Sequence, residues 1–302
     1  MGKVYEFSDI ANNRVPKPED FIKAKKIVND GISKLAEKGE VYGAKIFGSV
    51  AMGMPNERSD FDLLIITGRD SILVTLKMMF NNIFEKTNVG IEPLIVSKKF
   101  AELGFHSINR LLADNIGIIP VAENVVGKNP LNVLKPISLS LIQNHEEYLI
   151  QKIRRFKEGF FTYSEADKIK VLQRALEAPV NMGRETLQVF SYLGYSTGLK
   201  DINKKTVIDK FKKVFSGTSL MDGFDCLNGQ DEAYTIFLKK TLGGFVRQKE
   251  YDDYVNDLSE KCVPEAINWA SKISLMHLKL IEGNNKSQEG NVLLRRGKES
   301  LG

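Results

Sequence analysis

The sequence predicts an α+β fold, a mixed β-sheet flanked by helices and followed by an all-α helical bundle. Three observations carry this. Short apolar runs alternate with helical periodicity through the first 127 residues. Asn129-Pro130 and Lys135-Pro136 then interrupt the chain, and beyond Pro136 only long helical patterns follow. At 302 residues, 42% of them hydrophobic and 27% charged, the chain is long enough for two cores of ordinary globular composition. The reading gives domains at 1–129 and 130–283 and a polar, mobile tail at 284–302.

In order along the chain, residues 3–7 (KVYEF) read as a short strand or an ordered arm. Phe21, Ala24, Val28, Ile32 and Leu35 recur at spacings of three and four, predicting a helix over 19–38 that Gly39 stops. Glu19 and Asp20 suit its first turn, where the helix dipole favours carboxylates. Val41–Phe47 reads as a buried strand ending at Gly48. The loop 49–59 holds the breakers Gly53, Pro55 and Asn56. Phe61–Thr67 is continuously apolar after Asp62, as a strand buried on both faces should be. Residues 71–86 read as a helix with Ser71 as N-cap, and 89–96 as a strand in which Pro93 demands an edge position or a bulge. A helical piece over 107–115 and an extended piece over 117–124 complete the first domain. Helices follow near 137–159, 164–194, 203–215, 230–242 and 249–282, with a loop rich in Gly, Ser and Asp at 216–229. Pro179 and Pro264 fall inside two of these helices, where a kink or a break is expected.

Several function classes drop out. No apolar run approaches the ~20 residues of a membrane helix. The N-terminus has no hydrophobic signal core, and Glu6 stands where a myristoylation motif needs Ser or Thr. A cytoplasmic protein with no membrane partner is expected. Cys226 and Cys262 have no ligand neighbours at metal spacing and read as structural thiols. Residues 1–127 balance sixteen basic against sixteen acidic side chains, so the net charge of +5 falls wholly on 128–302. That excess suits an anionic ligand and is too small to imply nucleic acid by itself.

The chemistry concentrates in Gly48–Ile66, GSVAMGMPNERSDFDLLII. Gly48 at a strand end permits a sharp turn and close backbone approach, and the Ser49 hydroxyl there suits a phosphate oxygen. Asp60 and Asp62, one residue apart at the start of a strand, project to the same face. Two carboxylates that close repel unless a cation bridges them, and hard oxygen ligands suit Mg²⁺. Glu92, on the next predicted strand, completes a triad if that strand pairs beside 61–67; otherwise it is an edge charge facing water.

Gly48-Ser49, followed after a loop by Asp60-x-Asp62 leading an apolar strand, with an acidic residue one strand later, resembles the polymerase β-like nucleotidyltransferase superfamily. The resemblance covers about residues 40–97. It implies transfer of a nucleoside monophosphate from an NTP to an acceptor hydroxyl, with pyrophosphate released. It implies Asp60, Asp62 and Glu92 as catalytic residues and metal ligands for two Mg²⁺ ions, Mn²⁺ being an alternative, and Gly48, Ser49 and Arg58 as nucleotide contacts. Two positions depart from the family pattern. Met52 stands where relatives often carry Arg or Lys, leaving Arg58 and Lys45 as nearby cations, and the third acid is Glu92 where Asp is usual.

A helical domain after such a core is similar to kanamycin-type antibiotic nucleotidyltransferases and to minimal nucleotidyltransferases that act with partner proteins. It implies acceptor or partner binding in the second half. Glu146 or Glu147 would then offer a general base, and Lys152, Arg154, Arg155 and Lys157, or Lys204, Lys205, Lys210, Lys212 and Lys213, a basic face. A solvated helix surface is the favoured account of these runs. His106 carries little weight, and His277, among Leu275, Met276 and Leu278, reads as a partly buried structural residue; Trp269, Ile273 and Met276 at helical spacing read as core. Small-molecule or protein acceptors rank above an RNA end, because aromatic stacking runs are not evident. A homodimer is compatible with the sequence. The alternative is a catalytically degenerate nucleotide-binding protein, or an antitoxin-like partner-binding protein, on the same fold.

Overall fold

Strand pairing defines the first of two compact units, Met1–Ile137 and Ser138–Gly302, into which the chain divides. The computed structural model describes residues 2–99, 122–127, 139–161, 164–192 and 204–286. Along the first unit run α1 (Phe7–Ala11), α2 (Pro18–Glu37), β1 (Val41–Phe47), the one-turn α3 (Gly48–Ala51) and β2 (Phe61–Thr67). A 3₁₀ turn (Asp70–Ile72) leads into α4 (Leu73–Thr87), followed by β3 (Ile91–Ser97) and β4 (Glu123–Gly127). The described sheet is four-stranded and mixed, in the order β3-β2-β1-β4. β1 is antiparallel to β2 and β4, whereas β2 and β3 are parallel, with α4 supplying the crossover that parallel neighbours require.

Alternation along the strands decides what each face does. Ala44 and Ile46 of β1 and Phe61, Leu63 and Ile65 of β2 pack against Phe21, Ala24, Val28, Ile32 and Leu35 of α2 and Leu76 and Ile83 of α4. The helical stripe read from the sequence is therefore the core face of α2. β2 is buried at every position, and its opposite face sets Leu64 among Phe47, Leu94 and Val96. Pro93 is accommodated because β3 lies at the sheet edge.

Of the two readings of residues 3–7, the structure takes the ordered arm: residues 2–6 join no ladder, are tied to the 57–60 loop, and Phe7 then opens a helix. One local expectation is corrected. Ser71 is not an N-cap, because it sits within the 3₁₀ turn and Ile72 caps α4 without a side-chain bond.

The second unit consists of α5 (Leu139–Phe160), α6 (Glu165–Tyr192), α7 (Lys204–Phe215), α8 (Leu220–Leu242) and α9 (Gln248–Lys286). Its core is aromatic. The Phe211 ring stacks on Phe224 with centroids 4.4 Å apart and lies 5.6 Å from Trp269. Phe190 meets Phe215 edge-on at 4.9 Å. Trp269 Nε1 donates to the Leu220 carbonyl at 2.9 Å, which satisfies the buried indole and ties α9 to the start of α8. The Tyr234 and Tyr251 hydroxyls lie 2.8 Å apart between α8 and α9. α6 and α9 continue through their prolines, Pro179 and Pro264. His277 is fully buried, four residues on from Ile273 and eight from Trp269, whereas its sequence neighbours Leu275 and Leu278 are exposed. Cys262 is buried and desolvation pushes its thiol up to about 12, which keeps it protonated and inert; Cys226 is exposed.

The predicted loop 216–229 is mostly helix. Only residues 216–219 turn, with Gly217 at φ +78°, and α8 begins at Leu220. Composition misled here because Gly223 has a packing role. A Cβ on it would stand 2.8 Å from Trp269 Cδ1 and 2.8 Å from Glu265 Oε1, so α8 and α9 approach too closely for any side chain. Gly229, in the same helix, has nothing within 4 Å of its Cβ position.

The two glycines should thus respond oppositely to the same change. Gly223→Ala should lose about 1–3 kcal/mol through overpacking, while Gly229→Ala should gain about 0.5–1 kcal/mol from helix propensity. Urea unfolding of both variants reads the difference directly.

Candidate functional site

One end of the sheet gathers the motif. Because β1 is antiparallel to its neighbours, its C-terminal end lies beside the N-terminal ends of β2 and β3. The register puts Phe47, Asp62 and Glu92 in a single row across the three strands. Phe61, Leu63 and Ile65 occupy the helix-covered face, so Asp62 and Glu92 project from the other. Adjacent strands are about 4.8 Å apart, so the two residues stand side by side on that face. Asp62 is 4% exposed and Asp60 5% exposed, whereas Glu92 reaches solvent.

Gly48 closes over this row. It has φ +71°, and a Cβ there would lie 2.1 Å from Asp62 Oδ2. Both facts require glycine: one for the left-handed backbone, the other for space. The chain then makes the single turn α3, where Met52 N–H donates to the Gly48 carbonyl and Met54 N–H to that of Ser49. Ser49 Oγ is buried and has no hydrogen-bond partner among the described residues. An unmade bond at a buried hydroxyl costs about 1–3 kcal/mol, so a missing acceptor or donor is the natural account of it.

Arg58, read from the sequence as a nucleotide contact, is 4% exposed, and its guanidinium is turned onto the N-terminal arm. Nε donates to the Lys3 carbonyl at 3.0 Å and Nη2 to the Gly2 carbonyl at 3.0 Å, while the Arg58 carbonyl accepts the Lys3 N–H at 2.8 Å. Tyr5 Oη donates to the Glu57 carbonyl at 2.6 Å, fixing the next stretch of the arm. The result is delivery of Lys3 to the row: its Nζ lies 3.3 Å from Asp60 Oδ1. Lys3 escaped sequence reasoning because it stands far upstream of the motif, and KVYEF signals no more than an arm. Lys45, the other sequence-stated cation, lies on β1 opposite Leu64, and burial lowers its pKa.

The donor set fits a hard divalent cation in chemistry. Asp60, Asp62 and Glu92 offer only carboxylate oxygens, and the Lys3 ammonium already stands in as a cation at Asp60. Among the described residues, no group of three or more His, Cys, Asp or Glu side chains converges closely enough to hold a metal ion. Asp62 and Glu92 thus stand in register on adjacent strands without closing into a three-acid cluster, and Asp60 is engaged by Lys3.

In the second unit, Arg154 pairs with Glu158 at 2.7 Å and Lys212 with Asp225 at 3.0 Å, all on exposed surface, as a solvated face requires. His106, the predicted helix 107–115, and the side chains of His145, Glu146, Glu147 and Lys204 lie outside the described residues, as does the tail beyond Lys286. A scan against protein-family models and a search among curated proteins find no match to the chain.

The Gly48 geometry makes a sharp expectation. Gly48→Ala should cost at least about 1–3 kcal/mol, since it adds left-handed backbone strain to an overlap with Asp62. A variant as stable in urea as the parent would show that the turn relaxes without glycine.

Proposed function

We propose that the first unit is a nucleotidyltransferase core of the polymerase β-like type. In this reading it moves a nucleoside monophosphate from an NTP to an acceptor hydroxyl and releases pyrophosphate. The observation that carries it is the row at the sheet end: Asp62 and Glu92 are in register on one face, and the Gly48–Ser49 turn is closed over Asp62. Asp60, Asp62 and Glu92 would hold divalent ions, Mg²⁺ or in its place Mn²⁺. Such ions, when bound, neutralise charge on the attacking and leaving oxygens of an in-line displacement.

The chain's own residues supply the rest. Burial of Asp60 and Asp62 puts their charges in a low-dielectric setting, where attraction for a cation is strengthened. Ser49 Oγ, buried without a partner among the described residues, is the hydroxyl that meets a phosphate oxygen. The Gly48 turn packs closely against the Asp62 carboxylate, so the acid stands in a backbone-lined position before substrate arrives, as electrostatic preorganisation requires. The helical unit receives the acceptor, a small molecule or protein ahead of an RNA end, and the setting is cytoplasmic.

A second reading, nucleotide or partner binding without turnover, is favoured by the Lys3–Asp60 ion pair together with Met52 at the customary cation position. The two separate on incubation with Mg²⁺ and each labelled NTP. Transfer should appear on an added acceptor with release of pyrophosphate, and Asp62→Asn should lower it at least about 100-fold, the scale of losing a preorganised electrostatic group. Thermal stabilisation by NTP with Mg²⁺, without pyrophosphate under any acceptor, would favour the binding reading.

A further inference from the structure

The N-terminal arm is built more firmly than an ordinary chain end. Val4 and Tyr5 are buried, the backbone of Lys3 exchanges hydrogen bonds with Arg58 in both directions, and Tyr5 reaches the Glu57 carbonyl. A buried guanidinium committed to two arm carbonyls is an expensive anchor for five residues that join no sheet. What this anchoring accomplishes is the placement of one ammonium. Lys3 Nζ lies 3.3 Å from Asp60 Oδ1, and it passes so close to Gly90 that a Cβ there would stand 2.9 Å from it. Gly90 precedes β3 and its carbonyl accepts the Phe61 N–H. Lys3 therefore lies where β2 and β3 both begin, between the segments that carry Asp60 and Glu92.

We infer that Lys3 is a resident cation of this site, holding Asp60 while no divalent ion is bound and giving way when one enters. This rests on the reading of Asp60, Asp62 and Glu92 as cation ligands. The physical case is competition for one carboxylate. An Asp side chain 6% exposed needs a counter-charge, and an ammonium beside it meets that need. A divalent ion that takes Asp60 as a ligand needs the same oxygen, and two cations within a few ångströms repel. Lys3 is 28% exposed along its side chain and has a flexible stem, so it can swing into solvent while Arg58 keeps the backbone of the arm in place. Lys3 is thus a positioning residue: it keeps Asp60 turned and charged for the arriving ion, and it sets the concentration at which the ion wins.

The test uses the full chain and Mn²⁺ as the probe, with binding read by electron paramagnetic resonance. Lys3→Met keeps the length and packing of the stem but removes the charge. It should bind Mn²⁺ at least fivefold more tightly than the parent, and Asp62→Asn should abolish the gain. In the parent, labelling of Lys3 by an amine-reactive reagent should quicken severalfold at saturating Mn²⁺, a readout that needs no variant. Unchanged or weaker Mn²⁺ binding by Lys3→Met, no binding by either protein, or a labelling rate indifferent to Mn²⁺ would overturn the inference. Its fate is separable from that of the transferase reading. Tighter binding by Lys3→Met without turnover of any NTP upholds Lys3 and sinks the transferase, whereas turnover with unaltered Mn²⁺ affinity does the reverse.

Discussion

Everything at the sheet end depends on the parallel pairing of β2 with β3. β2 is buried at all seven positions, so it tolerates no slip: a shift of one residue would turn Asp62 into the helix-packed core and Leu63 out of it. The hydrophobic cost of that error holds the polar face in register. Asp62 meets Glu92 because Phe61, Leu63 and Ile65 have already been claimed by α2 and α4. The charged row is thus a by-product of apolar packing on the reverse side of the same strand.

A second dependence runs through Gly48. The strand β1 could end in many ways, but only a glycine at φ +71° lets the turn lie against the Asp62 carboxylate. Arg58 does a similar service from the other side, spending its guanidinium on the carbonyls of Gly2 and Lys3. Stability and chemistry are joined in these residues. Each is set by backbone geometry or backbone hydrogen bonds, and each places an element beside an acidic side chain: the Gly48 turn beside Asp62 and, through the arm, Lys3 beside Asp60. The helical unit follows the same logic at Gly223, where a missing side chain allows α8 and α9 to meet around Trp269.

The sequence by itself determined the layout. The three- and four-residue spacing of Phe21 to Leu35 marked α2 and its core face, the apolar run after Asp62 marked a strand buried on both sides, and Pro93 marked an edge. These signals are legible because they are local: periodicity and turn chemistry act between residues near in sequence. Local signals failed where a residue answered to a distant neighbour. Gly223 looked like a loop residue because Trp269, which excludes a side chain there, is remote along the chain. Arg58 looked like a free cation because the carbonyls that hold it belong to Gly2 and Lys3. Only the tertiary structure decided that Glu92 stands in register with Asp62, that Gly48 closes on that carboxylate, and that Lys3 reaches Asp60. Strand register and arm docking are set by which surfaces bury together, and a linear pattern of residue types carries no record of that choice.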